Sequence, residues 1–141
     1  MGKILCATRG GEASIRTQQA AIAEAKVTGD ELVFIYIFDI EFMAHAFYGM
    51  RSDVVTEEME RMAEFLMQMV VERAAQAGIE ARSLIRRGKF GEVLVEAARE
   101  EGATLVILGR PAEGGLFRLH ELEALAERLA EESGIPFVIR P

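Results

Sequence analysis

The stretch Ala103–Gly115, ATLVILGRPAEGG, decides how the rest of the chain is interpreted. Its apolar run, Thr104–Leu108, ends at Gly109 and is followed by a loop with further glycines. A short apolar run bounded by turn residues is typical of a strand that is buried on both faces of a parallel sheet. Glycines let backbone N–H groups approach a phosphate, and a helix after the loop adds a favourable dipole. An anionic ligand is therefore expected at the mouth after Leu108.

Four more strands and four helices are predicted around this stretch. The strands are expected at Lys3–Ala7, Glu31–Phe38, Glu80–Ile85 and Pro136–Ile139. The helices are expected over about Ser14–Val27, Asp53–Gln76, Phe90–Glu101 and Leu119–Glu132. Strict alternation of strands and helices implies an α/β domain, with a parallel sheet and helices on both of its faces.

The apolar content of the strands predicts their order in the sheet. Strands 1, 2 and 4 are the apolar ones and belong in the centre, which leaves strands 3 and 5 at the edges in the order 3-2-1-4-5. Such open sheets bind ligands outside the carboxyl ends of the strands, where the strand order reverses. The mouth is then Ala7–Gly11 facing Gly109–Gly115. The candidate binding residues are Ala7, Thr8, Arg9, Phe38, Gly109, Arg110, Gly114, Gly115 and Leu116.

Length, charge and hydropathy restrict the class of protein. The 141 residues fit one domain over 1–141, and the formal net charge of -7 argues against non-specific nucleic-acid binding. No apolar run approaches the roughly 18–20 residues that cross a bilayer, and the apolar part of the N-terminus is too short for a signal peptide. The single cysteine, Cys6, has no internal disulfide partner. A cytoplasmic protein without nucleic-acid or membrane partners is therefore expected.

Five segments along nearly the whole chain resemble the universal stress protein domain of the UspA type. They are Lys3–Ser14 (family pattern ILVPxDGSExS), Gly88–Leu94 (G-x-P-x-E-x-I), Gly102–Gly109 (GADLIVMG), Ala126–Arg128 (AER) and Ile135–Ile139 (CPVLVV). Their order and spacing also match the family. The resemblance implies an adenine-nucleotide alpha hydrolase-like fold and a homodimer formed through the last strand. Pro136–Arg140 is short and apolar at a predicted edge, which suits such pairing.

The loop glycines depart from the pattern of the family's ATP-binding members, which is G-x2-G-x9-G-S/T after the fourth strand. Gly109 matches the first glycine, but Ala112 stands where the second glycine is expected. Glycines stand instead at Gly114 and Gly115, where backbone N–H groups through Leu116 still suit an anion.

The other marks of the ATP site are also replaced. The closing glycine and hydroxyl fall near 122–124, where the chain has Leu122, Glu123 and Ala124. Arg9 stands where ATP binders have the aspartate that helps to hold the adenine–ribose end. The expectation is therefore a stress-response binding or regulatory protein that is not an enzyme, has no resident cofactor and does not bind ATP in the family's usual way.

A nucleotide-binding alternative stays open. A variant Gly109–Gly115 loop would then hold ATP with Mg²⁺, or another nucleotide, with weak hydrolysis. Five basic residues are expected near the carboxyl ends of the strands and would attract an anion: Arg9, Arg87, Lys89, Arg110 and Arg118. The opposing interpretation is a solvated rim in which they pair with Glu12, Asp39, Glu113 and Glu121.

Two apolar stretches have separate interpretations. Ile40–Met50 contains Phe42, Phe47 and Tyr48 and is expected either to pack over the domain or to dock a protein partner. A methionine-rich stripe on the second helix is expected in the core, with adaptable binding as the alternative. Its residues are Val55, Met59, Met62, Leu66, Met69 and Val70.

The sequence gives little indication of a catalytic site or a metal site. Ser14 is interpreted as a helix N-cap rather than a nucleophile. The run Arg9–Ser14 resembles the SGGxDS loop of ATP pyrophosphatases only weakly, because Arg9 and Ala13 replace the first serine and the aspartate. His45 and His120 are expected at the same end of the sheet, but no ligand spacing accompanies them, so no metal is predicted.

Overall fold

The computed structural model describes residues 2–8, 12–39, 52–111 and 118–141. Within these ranges five strands alternate with four helices. The strands are β1 (Lys3–Ala7), β2 (Glu31–Phe38), β3 (Ala81–Arg87), β4 (Leu105–Gly109) and β5 (Phe137–Arg140). The helices are α1 (Glu12–Thr28), α2 (Ser52–Gln76), α3 (Phe90–Glu101) and α4 (Leu119–Ser133). All nine elements match the predicted alternation.

The sheet confirms the predicted topology. Its strands run parallel in the order β3-β2-β1-β4-β5. β1 is central, with Leu5 beside Val33 of β2 on one side and Val106 of β4 on the other. These three side chains are fully buried, as expected for strands covered on both faces.

Helices cover both faces of the sheet. On one face α3 and α4 bring Leu94 and Leu129 against Leu5 and Val106. On the other face α1 and α2 pack Ile22 and Met67 against Ile4, Phe34 and other inward side chains. The described part of the chain includes no helix that combines the length and hydropathy required to cross a bilayer.

Three local predictions are corrected. α1 begins at Glu12, so Ser14 lies inside its first turn and is not the N-cap. The third strand was predicted to end at Ile85, but β3 continues through Arg86 and Arg87, because the pairing with β2 extends to Ile37 and Phe38. β4 and β5 each end one residue later than predicted, since Gly109 still pairs with Arg140.

The methionine stripe of α2 is only partly in the core. The face of α2 that packs on the sheet is formed by Ala63, Met67, Val70 and Ala74, all buried. Met62 and Met69, which were expected in the core, are exposed. The apolar periodicity of α2 allows two stripes, and packing on β2 and β3 selects only one of them.

Candidate functional site

The switch point of the sheet brings the first and fourth strands together at their carboxyl ends. β1 pairs with β4 up to Cys6 and Ile107, so the next residues of both strands emerge side by side. Of the predicted site residues, Ala7, Thr8, Gly109 and Arg110 are therefore gathered at one edge, as the topology required.

Phe38 lies at the carboxyl end of β2, one strand away from the switch point. It ends β2, its side chain is buried, and its ring lies 5.0 Å from that of Tyr36 between centroids. Its carbonyl oxygen accepts the Gly88 N–H at 2.9 Å on the side of β3. Phe38 thus contributes packing between β2 and β3, one strand away from the switch point.

The side chain of Thr8 belongs to an internal polar chain. The hydroxyl accepts a hydrogen bond from Gln18 Nε2 at 2.8 Å, and Gln18 Oε1 accepts one from Arg73 Nη1. Thr8 and Gln18 are buried, and the Thr8 N–H donates to Ile35 O at 2.9 Å. This internal polar chain links β1, α1 and α2, and it leaves little of the Thr8 side chain exposed for contact with a ligand.

The sequence analysis missed Gln18, although a signal was present. Gln18 stands on the helical face that also carries Ala21, Ile22 and Ala25, which are all buried. A long amide on an apolar face needs a partner inside the protein, since a buried polar group without a hydrogen bond is costly.

Thr17 fills the space beside Gly109. A β-carbon on Gly109 would stand 2.7 Å from Thr17 Oγ1, a distance that real contacts do not tolerate. Thr17 is buried, and its hydroxyl donates to Pro141 O at 2.8 Å. Gly109 is therefore required by the close approach of α1, whatever the mouth binds.

Arg87, one of the basic residues predicted near the mouth, has an acidic partner inside the domain. Arg87 donates through Nε to Glu60 Oε1 at 2.7 Å and also through Nη2, so Glu60 of α2 neutralises it. This partner differs from the four acidic residues proposed from sequence. Arg110 and Arg118 are exposed, and the Arg110 N–H donates to Arg140 O at 2.9 Å.

The N-terminus of α3 is occupied by a carboxylate of the chain itself. Lys89 is the N-cap residue and makes no side-chain cap, but Asp39 Oδ2 accepts the N–H of Phe90 at 3.4 Å. A negative charge is favourable at this end of a helix dipole. Asp39 thus takes the place that an anion would otherwise fill beside β2 and β3.

The closing positions of the nucleotide motif lie inside α4. The Leu122 N–H donates to Arg118 O at 2.9 Å, and the Leu122 side chain is only 4% exposed. Glu123 and Ala124 follow it within the same helix. Position 122 therefore presents neither a free backbone donor nor a hydroxyl.

Other predicted residues lie outside the described part of the chain. They are Arg9, Gly114, Gly115, Leu116, His45 and the whole stretch Ile40–Met50. Within the described ranges no group of three or more His, Cys, Asp or Glu residues is placed to hold a metal ion. Burial raises the pKa of the Cys6 thiol to about 12, so this buried cysteine stays protonated and unreactive.

Solved structures share this architecture. A universal stress protein family member from Burkholderia pseudomallei superimposes with a TM-score of 0.75 at 22% identity, over 99% of this chain and 96% of that one. A universal stress protein in complex with cAMP superimposes with a TM-score of 0.70 at 20% identity, over 99% and 97% of the two chains. The class is therefore that of α/β domains with a parallel sheet in the order 3-2-1-4-5.

The family follows from the sequence comparisons. The model of the universal stress protein family matches residues 1–141. Universal stress protein MJ0531 of Methanocaldococcus jannaschii is 24% identical over 141 residues, which cover 97% of this chain and 80% of that protein. The chain belongs to the universal stress protein family, as the five sequence segments predicted.

Proposed function

We propose that this chain is a binding or regulatory universal stress protein that is not an enzyme and does not hold ATP in the family's usual way. One observation carries most of this assignment. The N–H of Leu122 is bonded within α4 and its side chain is buried, at the position where the family motif requires a glycine. A phosphate at that position would meet an ordinary helix interior.

The retained Gly109 is not an argument for a nucleotide. Gly109 has a structural reason of its own, since Thr17 Oγ1 occupies the space where a β-carbon would stand. Thr8 is likewise held by Gln18 and buried. Thr8 and Gly109 are thus accounted for by contacts inside the domain.

Calorimetric titration of the purified, nucleotide-stripped protein with ATP and Mg²⁺ tests this function. We expect no saturable heat corresponding to a Kd below about 100 μM, which is roughly 5.5 kcal/mol of binding free energy. We also expect no phosphate release above the buffer rate. Saturable binding that weakens at least tenfold in the Arg110→Gln variant would contradict the proposal, with Arg128→Gln on α4 as the matched control.

A second candidate is a nucleotide-binding protein with a variant Gly109–Gly115 loop and weak hydrolysis. Two observations favour it: a structural neighbour is a universal stress protein in complex with cAMP, and Arg110 and Arg118 are exposed. A ligand with one phosphate group needs fewer hydrogen-bond donors from the protein than a triphosphate does. The same titration with cAMP, without Mg²⁺, separates the two candidates, because binding of cAMP alone would favour a site adapted to a monophosphate.

A homodimer through β5 is part of the proposal. β5 is an edge strand whose other side pairs with β4. Pro136 O accepts the Val106 N–H and Arg140 O accepts the Arg110 N–H, both at 2.9 Å. Because donors and acceptors alternate along a strand, the N–H and C=O groups of Phe137 and Ile139 face outward. Antiparallel pairing with a second copy would satisfy them.

The proposed compartment is the cytoplasm, which fits a formal net charge of -7 and a single buried cysteine. A protein partner that docks on Ile40–Met50 is proposed as the way in which the domain signals. Replacing residues 40–50 by a Gly/Ser linker of the same length should then abolish partner capture while the melting temperature of the domain is retained. Capture that persists in this variant would exclude the stretch as the docking site.

A further inference from the structure

The solvent side of α2 carries a second apolar stripe. Met62, Phe65 and Met69 are 63%, 62% and 41% exposed. Their spacing of three and four residues places them on one face of the helix. This face lies roughly 130° around the helix axis from the buried Ala63–Val70 face, at about 100° per residue. We call Met62, Phe65 and Met69 the outer stripe.

The outer stripe is unusual for a helix that already packs on a sheet. Single exposed apolar residues are ordinary, but three large ones in adjacent positions form a patch. Methionine side chains are flexible and polarizable, and aromatic rings are enriched at interfaces, so the stripe has the composition of a docking surface.

A carboxylate lies at each end of the outer stripe. Glu58 lies one turn before Met62 and Glu72 about one turn after Met69, both exposed on the same side of the helix. Among residues 56–76 the exposed charged residues are Glu57, Glu58, Arg61, Glu64 and Glu72, four acidic and one basic. Arg61 is itself paired with Glu58 at 3.4 Å.

This charge pattern decides between two possible binding partners of the outer stripe. A second copy paired antiparallel across the outer stripe would bring the Glu58 end of one helix to the Glu72 end of the other, and like charges at an interface are unfavourable. A helix with an apolar face and a basic polar face meets both the stripe and its carboxylates. We propose that the outer stripe of α2 docks a basic amphipathic helix of a protein partner.

This surface is independent of the switch point and of the nucleotide question. α2 packs on β2 and β3, whereas the switch point lies between β1 and β4. Failure of this proposal therefore leaves the proposed function intact, and the reverse also holds.

Fluorescence anisotropy with two labelled helical peptides tests the proposal. Both carry the same leucine face, one with a lysine polar face and the other with a glutamate polar face. We expect the lysine peptide to bind at least tenfold more tightly, and to lose most of this advantage at 0.5 M salt because exposed charges are then screened. Equal binding of both peptides, or binding of neither, would overturn the proposal.

Two sets of variants locate the binding. Phe65→Ser should weaken the lysine peptide at least tenfold, whereas Val27→Ser, at an apolar residue of α1 that is 87% exposed, should leave it unchanged. The double variant Glu58→Gln/Glu72→Gln should reduce the preference for the lysine peptide over the glutamate peptide. Unchanged binding in Phe65→Ser overturns the proposal, provided that its melting curve matches that of the wild type.

Peroxide oxidation followed by mass spectrometry tests whether the outer stripe is exposed to solvent in the free protein. Met62 should oxidise much faster than Met67, which is buried on the same helix. Protection of Met62 would show that the face is already covered, by the chain's own residues 40–51 in a monomer or by a second copy if light scattering shows an oligomer. Either form of protection would overturn the proposal.

Discussion

Thr17 of α1 and Gly109 at the end of β4 lie so close that any side chain on the glycine would collide with the threonine. The distance from Thr17 Oγ1 to a β-carbon on Gly109 would be 2.7 Å. Thr17 is only 2% exposed and is held by its hydrogen bond to Pro141 O. The contact therefore fixes α1 against the fourth strand beside the switch point.

Gly109→Ala should lower the free energy of unfolding by roughly 1–3 kcal/mol, because the new methyl group displaces a buried, bonded side chain. Urea unfolding measures this loss. The double variant Thr17→Ala/Gly109→Ala should lose less than the sum of the two single variants, because Thr17→Ala removes the hydroxyl that the new methyl group would meet. Gly91→Ala is the matched control: its β-carbon would meet Leu129 Cδ2 at 3.4 Å, so this variant should be neutral or more stable. Additive losses in the double variant would contradict the contact.

Gln18→Leu should cost roughly 1–3 kcal/mol of unfolding free energy, because the buried hydroxyl of Thr8 loses its donor and Arg73 loses its acceptor. The double variant Gln18→Leu/Thr8→Val should recover part of this loss, because both partners of the hydrogen bond between residues 8 and 18 are then apolar. Gln19→Leu, at the exposed neighbouring position, should change the stability by less than about 0.5 kcal/mol. Equal effects at positions 18 and 19 would exclude the internal polar chain.

Glu101 should make the stability depend on pH in the acid range. The hydrogen bond from Arg82 lowers the pKa of Glu101 below its ordinary value of 4.5, and the charges of Arg82 and Lys3 add to this, against an opposing effect of burial. A folded-state pKa below the unfolded one stabilises the protein above about pH 4.5 and loses this effect as the pH falls through the folded value. Glu101→Gln should therefore cost about 1 kcal/mol at pH 7 and nothing once the carboxyl is protonated in both states.

Thermal melts from pH 7 to pH 3 measure this difference for the wild type and Glu101→Gln. Glu31→Gln is the control, because Glu31 is 66% exposed at its side chain, where it pairs with Lys3 at 3.4 Å. A gap between the wild type and Glu101→Gln that stays constant from pH 7 to pH 3 would rule out the proposed coupling.

Ile139→Pro should convert the proposed dimer to a monomer. The N–H of Ile139 faces away from β4, so proline removes a donor for a second copy and keeps the pairing with β4. Val138→Pro, whose N–H faces β4, should instead destabilise the domain itself by about 1–3 kcal/mol, because a hydrogen bond of the sheet is lost. Light scattering at micromolar concentration, with a melting curve for each variant, distinguishes the two effects. A monomeric wild type would refute the dimer outright.

Most of the fold was predictable because its signals are local. The apolar runs at Glu31–Phe38 and Thr104–Leu108 can only be strands buried on both faces, and alternation with helices then fixes a parallel sheet. The lower apolar content of the third and fifth strands placed them at the edges, which leaves the order 3-2-1-4-5. The departures at Ala112 and Leu122 from the nucleotide motif were also evident from the sequence.

The partners of individual polar and apolar side chains were not predictable in the same way. Arg87 was expected among the basic residues that attract an anion, yet its side chain pairs with Glu60, which lies 27 positions earlier. Met62 and Met69 have the same helical periodicity as residues of the core, yet they face solvent.

The sequence by itself determined the family, the sheet order and the loss of the usual nucleotide motif, because each depends on residue types at fixed spacing along the chain. Only the tertiary structure decided that Thr17 requires Gly109, that Gln18 holds Thr8, and that α2 buries Met67 rather than Met62. These relations depend on which face a helix turns toward the sheet, and that choice is set by packing between elements that are distant in sequence.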